Sequence, residues 1–327
     1  MKRTTNKIAV IMPYFGKLPN YFDLWIQSCY ANSKTDWIIV TDNLIKNDFD
    51  NIKILNMSFD DFKARVQSKF DFKIKIDEPY KLCDLRPLYG HIFEDIFAPY
   101  DFWGWCDCDV IFGDLSKILT EDIWNNYERI LDKGHLSFVR NTKEINNIIL
   151  SQDYVKTILT GKAIYAWDEI YDGYYKGLNQ ILIDSNLPVF DGKHLVSDID
   201  YRHKYFRIVE EQNTNNVFEY RDGNLYKYSL TNNEILKTET LYIHLQKRKM
   251  EVCTSNVTHY FIVPDKFDDT IQEYDITKES IVVLNEDVSD YFDEKKENKW
   301  YAKRQFQRFL HEPHKVAAIK YIIKNRG

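Results

Sequence analysis

Trp103-Gly104-Trp105-Cys106-Asp107-Cys108-Asp109-Val110-Ile111-Phe112-Gly113-Asp114-Leu115 is an apolar, aromatic run that meets two carboxylates one residue apart. In an extended chain side chains alternate faces, so Asp107 and Asp109 point one way and Cys106 and Cys108 the other. Ionised acids at the end of a buried strand are costly unless a cation or a donor satisfies them. Hard oxygen ligands at this spacing suit Mg²⁺ or Mn²⁺, and such ions usually also hold substrate phosphates. An Asp-x-Asp pair also occurs in turns and helix caps, so the flanking sequence has to carry the assignment. Zinc on the two thiols is disfavoured: the pair is spaced too closely, and Cys29, Cys83 and Cys253 stand alone.

Working back from that stretch, Lys7 to Met12 is a short apolar run stopped by Pro13, and Gly16 and Pro19 follow. It reads as a buried first strand and a loop. Tyr21 to Asn32 has helical spacing through Phe22, Trp25, Ile26 and Cys29. Trp37 to Val40 and Ile52 to Leu55 are further strand runs, and Ser58 with Asp61 caps a helix reaching about Phe70. Strand, helix, strand, strand, helix predicts an α/β fold with a mostly parallel, Rossmann-like sheet flanked by helices. Ligands of such sheets lie at the carboxyl ends of the strands, so the segments after Met12, Val40 and Cys106 form one wall of a cleft.

Between these strands and the acid pair, Tyr80 to Phe93 reads as a helix interrupted or started by Pro87. Lys81 or Arg86 is placed to meet a phosphate, with Asp84 orienting it; a solvated charged turn is the alternative. Beyond the pair, His135 to Val139 is a strand, and Asp153 to Leu159 a short helix stopped by Gly161. Trp167, Asp168 and Glu169 precede a helix through Leu178, Ile181 and Leu182. They offer a sugar-stacking ring with carboxylates, or simply acids favouring a helix start. Val217 to Ser229 alternates around Asp222-Gly223, a hairpin signal that reads as a structural flap. Leu241 to Ile243 delivers His244 ahead of Lys247, Arg248 and Lys249.

Charge is uneven. The chain of 327 residues carries −6 overall, yet Lys299 to Gly327 holds eight Lys/Arg against Glu312. That segment is therefore +7 and residues 1–298 are −13. So acidic a body is no general nucleic-acid binder. The tail's two apolar-basic helical pieces suit an anionic membrane surface, or packing on the acidic body. We take 1–298 as the catalytic domain and 299–327 as a basic amphipathic helical tail. No secretory signal and no run of about 18 apolar residues is visible, and five unpaired-looking cysteines fit a reducing compartment. The expectation is a cytoplasmic protein, with the tail either on the inner face of the plasma membrane or packed on the body.

Taken in order, I-A-V-I-M-P-Y-F-G (8–16), K-L-C-D-L-R-P-L-Y-G (81–90), D-F-W-G-W-C-D-C-D-V-I-F-G-D-L (101–115) and L-Y-I-H-L-Q-K-R-K-M (241–250) resemble the GT-A nucleotide-sugar glycosyltransferases with a DxD motif. The nearest are bacterial enzymes of capsule and exopolysaccharide assembly. The resemblance implies a GT-A fold, a UDP-sugar donor and a saccharide or lipid-linked oligosaccharide acceptor. It implies that Asp109 binds Mn²⁺ or Mg²⁺ directly, that Asp107 meets the ribose or a metal-bound water, and that His244 completes the metal shell. It also places the nucleoside against Pro13, Tyr14, Phe15, Thr41 and Asp42, and Lys247 and Lys81 on the departing diphosphate. Asp168, then Glu169, is the expected general base if the enzyme inverts. His244 and Lys247, three apart, are similar to retaining families, which leaves the stereochemistry open. A metal-dependent nucleotidyltransferase or phosphohydrolase, or a non-catalytic sugar-binding protein on the same fold, are the other classes. The first usually brings a Gly-rich phosphate loop or further clustered acids and histidines, which the sequence lacks.

Overall fold

An apolar run without alternation needs cover on both faces, as a central parallel strand has. In the computed structural model this run is strand β1 (Ile8–Tyr14). The structure describes residues 6–169, 176–211, 215–246, 248–286 and six positions between 298 and 310. Ile8, Val10 and Met12 enter one hydrophobic cluster, Ala9 and Ile11 the other. Chain order then gives β2 (Thr35–Thr41), β3 (Ile52–Asn56), β4 (Phe102–Cys106), β5 (Val110–Phe112), β6 (Arg129–Lys133), β7 (Leu136–Arg140) and β8 (Val189–Phe190). All but β5 form one sheet, ordered β3-β2-β1-β4-β7-β6-β8. Four of its six neighbour pairs are parallel; β4–β7 and β6–β7 are antiparallel. The expected α/β class with a mostly parallel sheet flanked by helices is what the chain adopts.

Helix α1 (Phe22–Ala31) buries Trp25 and Cys29 on one face of this sheet. Helix α2 (Phe59–Gln67) buries Phe62 and Val66 on the other. Its start is the expected capping box: Ser58 accepts from the Asp61 amide, and the Asp61 carboxylate accepts from the Ser58 amide. The segment around Pro87 differs from one interrupted helix. It is two 3₁₀ turns, Pro79–Asp84 and Arg86–Leu88, followed by single α-turns, Tyr89–Ile92 and Glu94–Phe97.

The second half holds β9 (Ser197–Asp198), β10 (Asn216–Arg221), β11 (Asn224–Thr231), β12 (Glu234–Glu239), β13 (Tyr242–His244), β14 (Glu251–Cys253), β15 (His259–Val263) and β16 (Lys266–Asp268). Strands β10 and β11 pair antiparallel across Asp222 (φ 47°) and Gly223 (φ 84°), the left-handed pair that a two-residue hairpin turn uses. They are no isolated flap. They belong to a six-stranded sheet, β12-β11-β10-β15-β16-β14, with Phe218, Tyr220, Tyr260 and Ile262 in the cluster that also holds Trp25. A third, small sheet of β5, β13 and β9 joins the two halves. The basic tail expected over 299–327 lies almost wholly outside the described residues. None of the described helices is long and apolar enough to cross a membrane.

Candidate active site

After β3 the chain crosses to the far side of β1 and returns as β4. Strand order reverses there, and a crevice opens at such a switch point beyond the carboxyl ends of the strands. The cleft at this place has a volume of about 780 Å³, and Pro13, Tyr14, Arg86, Asp107, Asp109 and His244 are among its lining residues.

Asp107-Cys108-Asp109 is the step from one sheet to the next. The Asp107 amide donates to the His135 carbonyl at 3.1 Å, continuing the β4–β7 side, while the Asp109 carbonyl accepts from Leu245 at 2.8 Å, beside β13. Cys106 and Cys108 are buried, and the two carboxylate side chains keep 30% and 29% exposure. Strand β13 pairs with β5 and brings His244 to them. Ligand atoms of Asp107, Asp109 and His244 lie within 4.8 Å of one another. His244 Nε2 stands 3.5 Å from Asp109 Oδ1, and Nδ1 stands 2.8 Å from Asp198 Oδ1.

The electrostatics follow from that placement. Burial works against a charged His244, but Asp109 and Asp198 outweigh it and hold the imidazole well above its ordinary range. Burial likewise works against the Asp109 carboxylate, and the neighbouring His244 and His135 bring it below the usual value. Asp107 is raised, chiefly by burial and then by Asp109, with Arg86 opposing. His135, Asp198 and His244 also lie within ligand distance of one another. The His135 and His244 rings are stacked, however, at 4.0 Å with 24° between planes. Lone pairs of imidazole lie in the ring plane, so two stacked rings aim nearly parallel and do not converge on one ion. The Asp107/Asp109/His244 set, two carboxylates and one imidazole, has donor chemistry that fits a divalent cation.

Arg86 links this set to the second carboxylate group. One guanidinium nitrogen pairs with Asp107; the other donates to Asp168 Oδ2 at 2.7 Å and to the Gly134 carbonyl at 2.9 Å. Asp168 is buried, its carbonyl accepts from Arg129 at 3.0 Å, and its Oδ1 has no hydrogen-bond partner. Burial, with Glu169 adding to it and Arg86 opposing, pushes the Asp168 carboxyl up to about 7. Glu169 is exposed, lines the cleft and accepts from the Gly134 amide.

Several expected roles are corrected by where the side chains lie. Lys81 is buried, and its ammonium donates to Asp84, the Ile158 carbonyl and the Ala163 carbonyl. With all three protons used it meets no phosphate. Asp84 is fully buried and accepts from the Tyr165 and Trp167 amides; it braces the loop that carries Asp168. Trp167 sits in the core at 1% exposure and donates to the Lys176 carbonyl, so it offers no face to a sugar. Phe15 lines the cleft with Pro13 and Tyr14, and its ring also packs on Phe59 and Phe62. Thr41 is buried and accepts from Asn43; Asp42 accepts from the Gly16 amide at 3.0 Å. Both hold the loop after β1 in place and do not line the cleft. Arg248 donates to the carbonyls of His203, Lys204 and Pro264. Lys247 lies outside the described residues.

Four residues that matter to this geometry escaped the sequence reading: Gly134, His135, Arg129 and Asp198. A β-carbon on Gly134 would stand 2.7 Å from Asp168 Oδ2, 2.7 Å from Glu169 Oε1 and 2.9 Å from Arg86 Nη1. Asp198-Ile199-Asp200 is a second Asp-x-Asp, the one available signal for Asp198. For the other three the signal is three-dimensional only.

Residues 10–271 match a protein family described as one of unknown function, DUF6625. None of the curated proteins matches the chain. Among solved structures, the chain is similar to a glycosyltransferase involved in glycosylation of the major capsid of PBCV-1. That similarity has 12% identity and a TM-score of 0.31, over 58% of this chain and 85% of the other. It is similar to the galactosyltransferase LgtC in complex with donor and acceptor sugar analogs, at 10% identity and TM-score 0.31 over 58% and 75%. It is similar to the apo form of the glycosyltransferase GlyE of Streptococcus pneumoniae TIGR4, at 9% identity and TM-score 0.32 over 58% and 46%, under half of that chain. Likeness at this level decides neither activity nor substrate for this chain.

Proposed function

We propose that this chain, which belongs to the DUF6625 family, is a metal-dependent glycosyltransferase of the GT-A kind. It moves a hexose from a UDP-sugar to a saccharide acceptor, free or lipid-linked, in cell-surface polysaccharide synthesis. The observation that carries the reading is the convergence of Asp107, Asp109 and His244 within 4.8 Å at the switch point of a mostly parallel sheet.

Asp109 and His244 hold the cation directly, and Asp107, partly neutralised by Arg86, completes the shell or meets the ribose. A divalent ion bound there supplies positive charge against the diphosphate as it departs. Pro13 and Tyr14 receive the nucleoside at the carboxyl end of β1, and Lys247, by its place three residues after His244, adds a cation for the diphosphate. Asp168, with a free oxygen and basicity near neutrality, takes the acceptor hydroxyl proton. The acceptor oxygen then bonds to the anomeric carbon while the bond from that carbon to the phosphate oxygen breaks, and its electron pair leaves with UDP. Glu169, on the same loop, is the second choice for base. Residues 299–327 bring the enzyme to the anionic inner face of the plasma membrane; deleting them should abolish binding to anionic vesicles at low salt.

The deciding experiment measures UDP release from a panel of UDP-sugars, with and without Mn²⁺ and with saccharide acceptors. Metal-dependent release that rises with acceptor is expected. Absence of hydrolysis and transfer at every metal concentration would leave a sugar-binding protein on this fold.

A further inference from the structure

We infer that Asp198 is the positioning residue of the metal centre: it fixes the tautomer and the plane of His244, so that Nε2 and not Nδ1 turns its lone pair to the ion. Asp198 has this role only if Asp107, Asp109 and His244 hold the cation as proposed above.

Strands β9 and β13 run parallel with Asp198 opposite His244, and the Ile199 amide donates to the His244 carbonyl at 3.1 Å. Both side chains are buried. Asp198 Oδ1 lies 2.8 Å from His244 Nδ1 and takes a second hydrogen bond, also 2.8 Å, from Gln246 Nε2. Gln246 folds back to make it from a left-handed backbone at φ 48°. An ionised carboxylate has only acceptors, so the hydrogen-bonded ring edge keeps its proton on Nδ1, and Nε2 is the nitrogen available to a cation. That nitrogen faces Asp109 Oδ1 at 3.5 Å. The flat of the ring is held as well. His135 stacks on it at 4.0 Å, with its own Nε2 3.7 Å from Asp198 Oδ2 and no hydrogen bond at either ring nitrogen. One carboxylate thus fixes the edge of His244 while a second imidazole, beside the same carboxylate, covers the face. A carboxylate behind a ligating histidine sets ring orientation and raises ligand basicity, and removing it typically weakens metal binding about 10- to 100-fold.

The test uses the full chain and Mn²⁺ alone, with affinity read by titration and histidine ligation by the ¹⁴N modulation of the Mn²⁺ spin echo. Wild type should show imidazole ¹⁴N coupling. Asp198→Ala should bind Mn²⁺ about 10- to 100-fold more weakly and lose the coupling. Asp198→Asn, whose amide oxygen still accepts from Nδ1–H, should keep the coupling and lose less affinity than Asp198→Ala. Asp198→Ala with wild-type affinity and coupling would overturn the role of Asp198, as would an Asn variant that loses the coupling as fully as the Ala variant. A wild type that binds no Mn²⁺ would instead overturn the metal centre itself. If the Ala variant does not fold, ¹⁵N-histidine NMR of the wild type with Mg²⁺ decides: a proton on Nδ1 of His244 is expected, and a proton on Nε2 refutes the assignment.

Discussion

Two charged clusters of similar composition flank the cleft, and they are built to opposite ends. Lys81 and Asp84 close on each other, and every proton of the ammonium is spent on Asp84 and two carbonyls. Asp109 and His244 are anchored from behind, by Leu245 on the Asp109 carbonyl and by Asp198 on the imidazole. Asp109 Oδ1 and His244 Nε2 face each other at 3.5 Å on the wall of the cleft. The first cluster fixes a loop; the second is held rigid with Nε2 of His244 and the Asp109 carboxylate turned to the cleft. What separates a structural ion pair from a binding site here is unused hydrogen-bonding capacity, not residue type.

The largest effect that distinguishes them is on activity. Asp109→Ala should lower turnover by about 10³-fold or more, since the charge opposing the developing diphosphate is lost, and should abolish Mn²⁺-dependent UDP binding. Fold stability should hold. Wild-type turnover in that variant would erase the contrast. Lys81→Met should do the reverse. Leaving Asp84 buried without its cation should cost about 3–5 kcal/mol of stability in urea unfolding, while the folded fraction binds Mn²⁺ and UDP as before. A stable Lys81→Met protein with weakened UDP binding would return Lys81 to the diphosphate.

The expectation of a phosphate at Lys81 shows where the sequence stops informing. Residues three apart eclipse in a 3₁₀ turn, so the spacing of Lys81 and Asp84 was legible as a pair, but their burial was not. The apolar runs of β1 to β3, the Ser58 cap, the Asp222-Gly223 turn and the acid pair were legible because each is a local pattern. His244 was legible from the strand that delivers it. The six-stranded sheet beyond the hairpin was not, because β14, β15 and β16 are short and their partners are settled by long-range packing. Asp198 and His135 reach His244 from 46 and 109 residues away in sequence, and nothing in either neighbourhood announces the meeting. Trp167 failed as a stacking ring for the same reason: an aromatic residue beside acids says nothing of which way its ring turns.

Asp168 stands between the two clusters, and pH should reveal which side it serves. Burial holds its carboxyl up to about 7, and a general base must be ionised, so at saturating Mn²⁺ transfer should rise with pH as Asp168 ionises. The divalent cation's charge moves that midpoint to about 7 or lower. Below it, the rate should fall about tenfold per pH unit. Asp168→Asn should suppress transfer and spare UDP binding, while Glu169→Gln should keep the pH limb. A flat profile for the wild type between pH 5 and 8, or unchanged transfer in Asp168→Asn, would remove Asp168 as base and favour a retaining route.

The smallest expected effect is also the most local. Gly134 accepts Arg86 on its carbonyl and donates from its amide to Glu169, and a β-carbon there would press on Asp168, Glu169 and Arg86 together. Gly134→Ala should therefore cost about 1–3 kcal/mol through overpacking and lower turnover by displacing Asp168, without removing any charged group. Because Gly134 touches neither Asp109 nor His244 and reaches Asp107 only through Arg86, Mn²⁺ affinity should fall less than turnover. If Gly134→Ala weakens Mn²⁺ binding as much as it slows transfer, Arg86 couples the two carboxylate groups so tightly that they act as one site.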